Sequence, residues 1–542
     1  MVKRTKSELR TNAIPMSVHK YGNLQFLQAG AKQYWGISHM QPFFPSLEKL
    51  FKTDNLESPA DYGIRFKDEI SAIPSASSIR TQTGEVVQVH KKVSMILAPF
   101  KCMRGSYGHH LALPKLIEQS MGTQEKLQNP NNSSYVGSII SAVLSESGCV
   151  HFPKVYGVFN GIAETHKIDI SDDYEEVSER PWFSANIGKT FELNLSNKVT
   201  SQSFTHTRKA RIGVQLGEEV LLEGVEEVQA PTIGNVESHQ LEQIFGESDA
   251  QDNESDGTSV STSYIFDVKS CDCESDEEED VSMEESADEP FAWAEFSNVP
   301  VQVTVMEKCD GTIYELMMKN PEPEKHLAWV TQVIFALAFA QRNFGFIHND
   351  LHANNVMYVP CTKEYLYYNV SGTTYRVPTF GYIIKLIDFE RSIASFKITG
   401  MKDPKFFMSD HYDVNEEAGG QYNFEPYFMP KYPVVKPNPS FDLARFATSM
   451  FWDLFPEGPT YEGYNTNPLF AMLVRWMKTD ESNSVLFGKK DATHDRYHGF
   501  QLYKAIARFC KDAVPNKEVG LLKSLYGMTN IPNGESICVI DA

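Results

Sequence analysis

The sequence predicts an α+β protein of two lobes, a small β-rich one followed by a larger, mostly helical one, with a long acidic insertion in the first. Three observations carry this. Segments rich in β-branched residues and alternating in polarity occupy the chain up to about residue 310; amphipathic segments of helical period dominate after it; and a tract of Ser, Asp and Glu interrupts the strand-like region. The boundaries read from these shifts are an N-terminal extension at 1–60, a first lobe at 61–310 interrupted by an insertion at 164–296, and a second lobe at 311–542.

Taken in order, the first 60 residues mix aromatic clusters such as Tyr34-Trp35 and Phe43-Phe44 with polar stretches, compatible with a packed extension or an arm. EVVQVHKKVSMIL, after the turn signal Thr83-Gly84, predicts a strand. SSYVGSIISAVLSES predicts a helix capped by Ser133 or Ser134, with Val136, Ile139, Ile140 and Val143 on one face. HFPKVYGVF reads as a second strand. In the insertion, Trp182-Phe183 and ARIGVQLGEEVLL have some potential for structure, whereas 247–289 is too polar to offset its chain entropy and is expected to be disordered. VPVQVTVMEK resumes the strands. A helix is predicted from about Glu324 to Asn343, with Pro321 and Pro323 as start signals. The loop-like FGFIHNDLHANNVMYV follows, then a hairpin, EYLYYNVSGTTYRV, turning at Ser371-Gly372, and the strand YIIKLIDF. The last 150 or so residues, including FDLARFATSMFWDLF and FQLYKAIARFC, read as mostly helical.

Composition narrows the function classes. With 50 basic and 71 acidic residues the net charge is -21, which disfavours non-specific nucleic-acid binding. Eleven Asp or Glu and no Lys or Arg lie between Cys271 and Pro290, so about half of the excess sits in one segment. Mean hydropathy is negative, and the longest apolar-rich stretch falls short of the roughly 20 residues that span a bilayer, so membrane insertion is not expected. The N-terminal MVKRTKSELRTN is basic but lacks the apolar run of a secretory signal, and eight scattered cysteines resemble neither a disulfide framework nor a zinc ribbon. Cytosolic synthesis with reduced thiols is the expectation.

One constellation carries chemistry. His348-Asn349-Asp350-Leu351 with Asn355 forms H-x-D-L-x-x-x-N, and Asp388-Phe389-Glu390 ends an apolar strand downstream. Phosphoryl transfer needs a carboxylate to orient the attacking hydroxyl, oxygen ligands for magnesium and a cation on the phosphates. Asp350 suits the first task; Asn355 and Asp388 supply the hard oxygen donors of the second. The bland alternative, that these are loop-capping and turn residues, is less economical because the string sits between a long amphipathic helix and strands ending in Asp-Phe.

FIHNDLHANNVMY, VPTFGYIIKLIDFERSI, NPSFDLARFATSMF and NNSSYVGSIISAVLSESGCVHFPKVYGVFNG together resemble the protein-kinase-like proteins of large nucleocytoplasmic DNA viruses, a haspin-like variant of the protein kinase superfamily. The likeness spans about residues 85–515 without the acidic tract. It implies a bilobal protein-kinase-like fold and Ser/Thr kinase activity with ATP and Mg2+ or Mn2+. It also implies protein substrates of virus or host, and residence in host cytoplasm and the virus particle. Carried over position by position, Lys92 is the strand lysine on the phosphates, with Lys91 its rival on the opposite strand face. Met306, Glu307 and Cys309 fall at the adenine-binding hinge, His352 lies where a lysine usually meets the γ-phosphate, and Asp442 matches the acid that braces the catalytic loop.

The departures matter as much. No G-x-G-x-x-G precedes Lys92; IPSASSIRTQTGE has one glycine. Gly137 stands where a helix glutamate would pair with the strand lysine, leaving Glu118, Glu125 or Glu146 as substitutes. Glu390 replaces the glycine of D-F-G and is expected to point to solvent. Asn349 replaces an arginine that pairs with a phosphorylated activation loop, so control by that route is not expected. Ser275 and Ser282 precede acidic runs and fit acidophilic kinases as targets. Three functions are compatible with this pattern: a protein kinase, a pseudokinase that binds nucleotide or partners without turnover, and a small-molecule kinase.

Overall fold

The computed structural model describes residues 13–21, 24–51, 61–108, 112–115, 122–171, 173–196, 263–270, 291–462, 466–479, 483–488, 495–497, 499–529 and 535–540. The fold is mixed α+β. Strand β1 (Ser17–Lys20) pairs antiparallel with β3 (Tyr62–Arg65), and β2 (Ile37–Gln41) joins the main sheet. The boundary expected at residue 60 therefore separates two strands that pair with each other. Phe43, Phe44 and Leu47 are fully buried, so the described part of the first 60 residues is packed extension rather than arm.

The main sheet continues with β4 (Ile70–Ser75), β5 (Ser78–Thr81) and β6 (Val86–Met95). After helix α1 (Ser133–Ser145) come β7 (Val155–Asp169), β8 (Glu192–Ser196) and β9 (Phe291–Glu307). Spatial order is β2-β7-β9-β6-β5-β4, with β8 also on β9, all antiparallel. The insertion is narrower than 164–296, because β7 and β9 pair from Val155↔Met306 out to Asp169↔Trp293. FAWAEF alternates buried Ala292, Ala294 and Phe296 with half-buried Trp293 and Glu295, and it carries ETHKID as its ladder partner. Phe183, on a helix Pro181–Asn186, is buried against this sheet's core. ARIGVQLGEEVLL, Cys271, Cys273, Ser275 and Ser282 lie outside the described residues, as does all of 247–289 except 263–270.

Period-two alternation sorts the strands' side chains. Val299, Val301, Val303 and Val305 of β9 enter one apolar core, with Val89 and Met95 of β6. On the opposite face Thr304 meets Ser138 of α1, Oγ1 to Oγ at 2.8 Å. The cap of α1 is Asn132, not Ser133 or Ser134: its Oδ1 accepts from Ser134 N at 3.2 Å and Ser134 Oγ at 2.7 Å. Asn132 also donates to the Ile96 carbonyl, a tertiary bond that no local pattern announces. The expected face of Val136, Ile139, Ile140 and Val143 is buried to 1% exposure or less, each side chain contributing about 1.5–3 kcal/mol.

A second sheet, β10 (Gly311–Thr312), β11 (Val356–Pro360) and, further on, Tyr382–Leu386, frames the loop of interest. Before that loop runs α2 (Pro323–Phe344), which starts on Pro323 and stops at Gly345, φ +56°, the left-handed residue that ends a helix. The hairpin of β12 (Tyr365–Val370) and β13 (Thr373–Pro378) turns at Ser371-Gly372, both at positive φ, as a two-residue turn requires. β14 (Tyr382–Leu386) then returns beside β11. α3 (Phe441–Leu454) and α4 (Phe500–Phe509) are helical as expected. The last 150 residues are not mostly helical, however: between Phe407 and Phe441 the described chain is loop and short 3-10 turn, where Pro426, Pro430, Pro433, Pro437 and Pro439 prevent longer helices. No helix among the described residues is long and apolar enough to cross a membrane.

Candidate functional site

The loop after α2 is held from below. Asp442, at the start of α3, accepts the backbone N–H of His348 at 2.9 Å and of Asn349 at 3.0 Å. It is fully buried, and desolvation pushes its carboxyl up to about 6 against the pull of those donors and of His348. Ser449 Oγ accepts the Ala353 N–H at 3.0 Å, a second brace from the same helix. Asn349 sits at φ +64°, a left-handed conformation that asparagine tolerates, with its amide donating to the Arg391 carbonyl and accepting from Tyr422.

Within the loop Asn355 Nδ2 donates to the Asp350 carbonyl at 2.9 Å and lies 3.2 Å from His352 Nε2. This turns Oδ1, the end able to ligate a metal, to the other side of the amide. His352 is buried, and its N–H donates to Asp350 O at 3.1 Å. The Asp350 carboxylate, 8% exposed, accepts from the Tyr503 hydroxyl at 2.6 Å. Tyr503 belongs to α4, and its ring lies under the guanidinium groups of Arg391 and Arg445, 5.7 and 5.0 Å from its centroid. Burial raises the Tyr503 hydroxyl above its ordinary range, so it remains a donor.

The second segment meets the first directly: Ile387 donates its N–H to the Asn355 carbonyl at 3.0 Å. Asp388 follows at φ +67°, a strained conformation for a non-glycine residue. Phe389 is buried among Phe152, Phe346 and His348, with ring centroids 6.1, 5.8 and 5.4 Å away, which fixes the direction of its neighbour's carboxylate.

Lys92 comes from the sheet above. Its Nζ lies 2.7 Å from Asp388 Oδ1 and 2.8 Å from Glu390 Oε1. Burial alone would lower its pKa; the two carboxylates reverse this and raise it, so the ammonium is kept charged. Lys91 points the other way, over the Trp35 ring at 5.8 Å, as strand alternation requires of neighbours. Glu390 does not point to solvent: besides Lys92 it accepts from Ser94 Oγ at 2.5 Å. Solvation loses to two donors on one face of β6. Glu125 lies on a short helix Thr123–Leu127, Glu146 caps α1 near Lys67 and Lys154, and Glu118 lies outside the described residues.

Lys92, Ser94, Gly137, Thr304, Asp388 and Glu390 line a narrow cleft that extends to Met306. Met306 is buried at the end of β9, whereas the Glu307 carboxylate is engaged by Lys385 at 2.9 Å. Burial pushes the Cys309 thiol up to about 12, so it is no thiolate nucleophile. Among the described residues no group of three or more His, Cys, Asp or Glu is gathered to hold a metal. Asn355 and Asp388 lie on segments joined by the bond from the Ile387 N–H to the Asn355 carbonyl, and each carries a hard oxygen of the kind magnesium takes.

No family model matches the chain. Over 99 residues it is 32% identical to an uncharacterized protein of Caenorhabditis elegans, an alignment covering 14% of this chain and 33% of that relative. The match thus spans about a third of the relative's length.

Proposed function

We propose that the chain is a protein kinase of bilobal kinase-like fold, transferring the γ-phosphoryl group of ATP to Ser or Thr hydroxyls of viral or host proteins. The observation that supports this best is the junction of the two loops: Asn355 bonded to Ile387, with Asp388 beside it on Lys92, and Asp350 tied to Asn355 through its own carbonyl.

In this reading Asp350 orients the acceptor hydroxyl and takes its proton as oxygen bonds to the γ-phosphorus and the bond to the bridging oxygen of ADP breaks. Lys92 holds the α- and β-phosphates, and the backbone around Met306, Glu307 and Cys309 receives the adenine. Asn355 Oδ1 and the Asp388 carboxylate would hold Mg2+, which when bound neutralises charge developing on the phosphates. His352 lines the loop as a buried neighbour of Asn355.

A second reading, nucleotide binding without turnover, is favoured by one observation: β4 and β5 join through Ala76-Ser77, with no glycine to drape over phosphates. Incubation with γ-labelled ATP, Mg2+ and cell extract separates the readings. Protein labelling that Asp350→Asn abolishes supports the first. Nucleotide-induced thermal stabilisation with no label transfer supports the second, and label only in low-mass material points to a small-molecule acceptor.

A further inference from the structure

Two departures from the kinase pattern, a glycine in the helix where an acid belongs and an acid where D-F-G has glycine, meet in space. A Cβ on Gly137 would stand 2.7 Å from Glu390 Cγ and 3.1 Å from both its Cα and its N. Gly137 lies within α1 and has no positive φ, so its backbone does not require glycine. A glycine there weakens the helix relative to alanine, and close approach of another chain segment is the physical reason left for it. Glu390 fills that space and directs Oε1 at two rungs of one strand face, Lys92 at 2.8 Å and Ser94 at 2.5 Å.

We propose that Glu390 is the positioning residue for Lys92, supplying from the segment after β14 the carboxylate that kinases otherwise draw from the helix, with Gly137 as the complementary residue that admits it. The proposal rests on the reading of Lys92 as the phosphate-binding lysine. It has a mechanical consequence. In kinases at large the lysine pair forms or breaks as the helix moves, which makes helix position a control point. Here both carboxylates on Lys92, Asp388 and Glu390, belong to one three-residue stretch. Lys92 is therefore set by the same segment that carries Asp388, and displacement of α1 does not by itself release it.

The test measures Mg2+-ATP binding by thermal stabilisation and, separately, kcat and KM for ATP. Glu390→Gln keeps the shape of the side chain and loses its charge; it should raise KM for ATP at least tenfold and remove most of the nucleotide-induced stabilisation. Gly137→Ala should do the same by pushing Glu390 aside, and cost clearly less in a Glu390→Gly background, where the 2.7 Å contact with Cγ is gone and only the 3.1 Å contacts with the backbone remain. That non-additivity in melting temperature is readable without catalysis and would not arise if Glu390 were merely a surface acid. Nucleotide binding by the wild type that Glu390→Gln leaves within twofold overturns this proposal while sparing the kinase reading. A wild type that neither binds nucleotide nor transfers phosphate overturns both.

Discussion

The hydroxyl of Tyr503 donates to Asp350 Oδ1 at 2.6 Å, so a helix 153 residues downstream fixes the rotamer of the carboxylate that the proposed chemistry uses. The bond is buried, and Arg391 and Arg445 flank the ring that makes it. Tyr503→Phe removes the donor and keeps the ring. The expected outcome is a stability loss of about 1.5–3 kcal/mol, the usual scale for one hydrogen bond to a charged group, with kcat falling roughly tenfold, or about 1.4 kcal/mol, and KM for ATP unchanged. Urea midpoints and steady-state kinetics check both. A rise in kcat would instead mean that the tyrosine competes with the acceptor hydroxyl.

Neither this contact nor the Lys92 bridge is legible in the sequence, and the reason is physical. Asp350 and Asn355 are five residues apart in one polar loop that follows a long amphipathic helix, so spacing and context together mark them as candidates, and the apolar strand that delivers Asp388 does the same for it. Tyr503 sits in FQLYKAIARFC, where an aromatic at a buried helical position is indistinguishable from core. Sequence places Glu390 in solvent because the donors that hold it, Lys92 and Ser94, are 296 residues or more away along the chain. That Lys91 and Lys92 face opposite sides, by contrast, needs only the two-residue period of a strand. The expected cap of α1 is off by one or two positions because four cap-type residues, Asn131 to Ser134, are consecutive, and Asn132 wins through its tertiary bond to Ile96.

Asp442 links stability to pH with a definite sign. Its carboxyl is held at about 6 in the folded chain by burial, against about 3.9 when exposed in the unfolded chain. Between those values the folded state binds the extra proton, so this group's contribution to stability is fully present below about 4 and is lost as pH rises through 6. Asp442→Asn removes that dependence and also replaces one of the acceptors for the His348 and Asn349 N–H groups. The wild-type minus Asp442→Asn stability difference should therefore shrink as pH rises from about 4 to about 6. Parallel urea curves across that range are the check; a difference that grows with pH would contradict the assignment.

The described segment 263–270 of the insertion is docked. Phe266 stacks on Tyr432 at 4.4 Å, Arg508 donates to the Phe266 carbonyl at 3.1 Å, and Lys269 N–H donates to Gln501 on α4. Gly420, at φ +82°, passes so close that a Cβ would lie 2.0 Å from the Ile265 carbonyl. Gly420→Ala should then cost about 2 kcal/mol or more, combining a strained φ with a backbone clash. Replacing 263–270 by a Gly/Ser linker of equal length should remove the clash and leave the strain. If the two costs of Gly420→Ala, with and without the segment, are equal in urea titrations, the contact does not form in solution.

Lys92 provides the sharpest separation between structure and chemistry. Its side chain is 27% exposed and bridges two carboxylates of the same short segment. Lys92→Met leaves Asp388 and Glu390 without the cation, and partial exposure limits the resulting destabilisation to about 1–2 kcal/mol, below the cost of orphaning a fully buried charge. Adding Glu390→Gln to Lys92→Met removes one of the like charges and should recover part of that stability, since the repulsion is between the carboxylates rather than with the core. It should recover none of the ATP-induced stabilisation, because the neutral amide introduced by Glu390→Gln cannot stand in for a cation on phosphate. Urea midpoints with and without Mg2+-ATP distinguish the outcomes: stability restored without binding fits Lys92 as both a structural bridge and the phosphate contact, whereas undiminished nucleotide binding by Lys92→Met would remove it from the site.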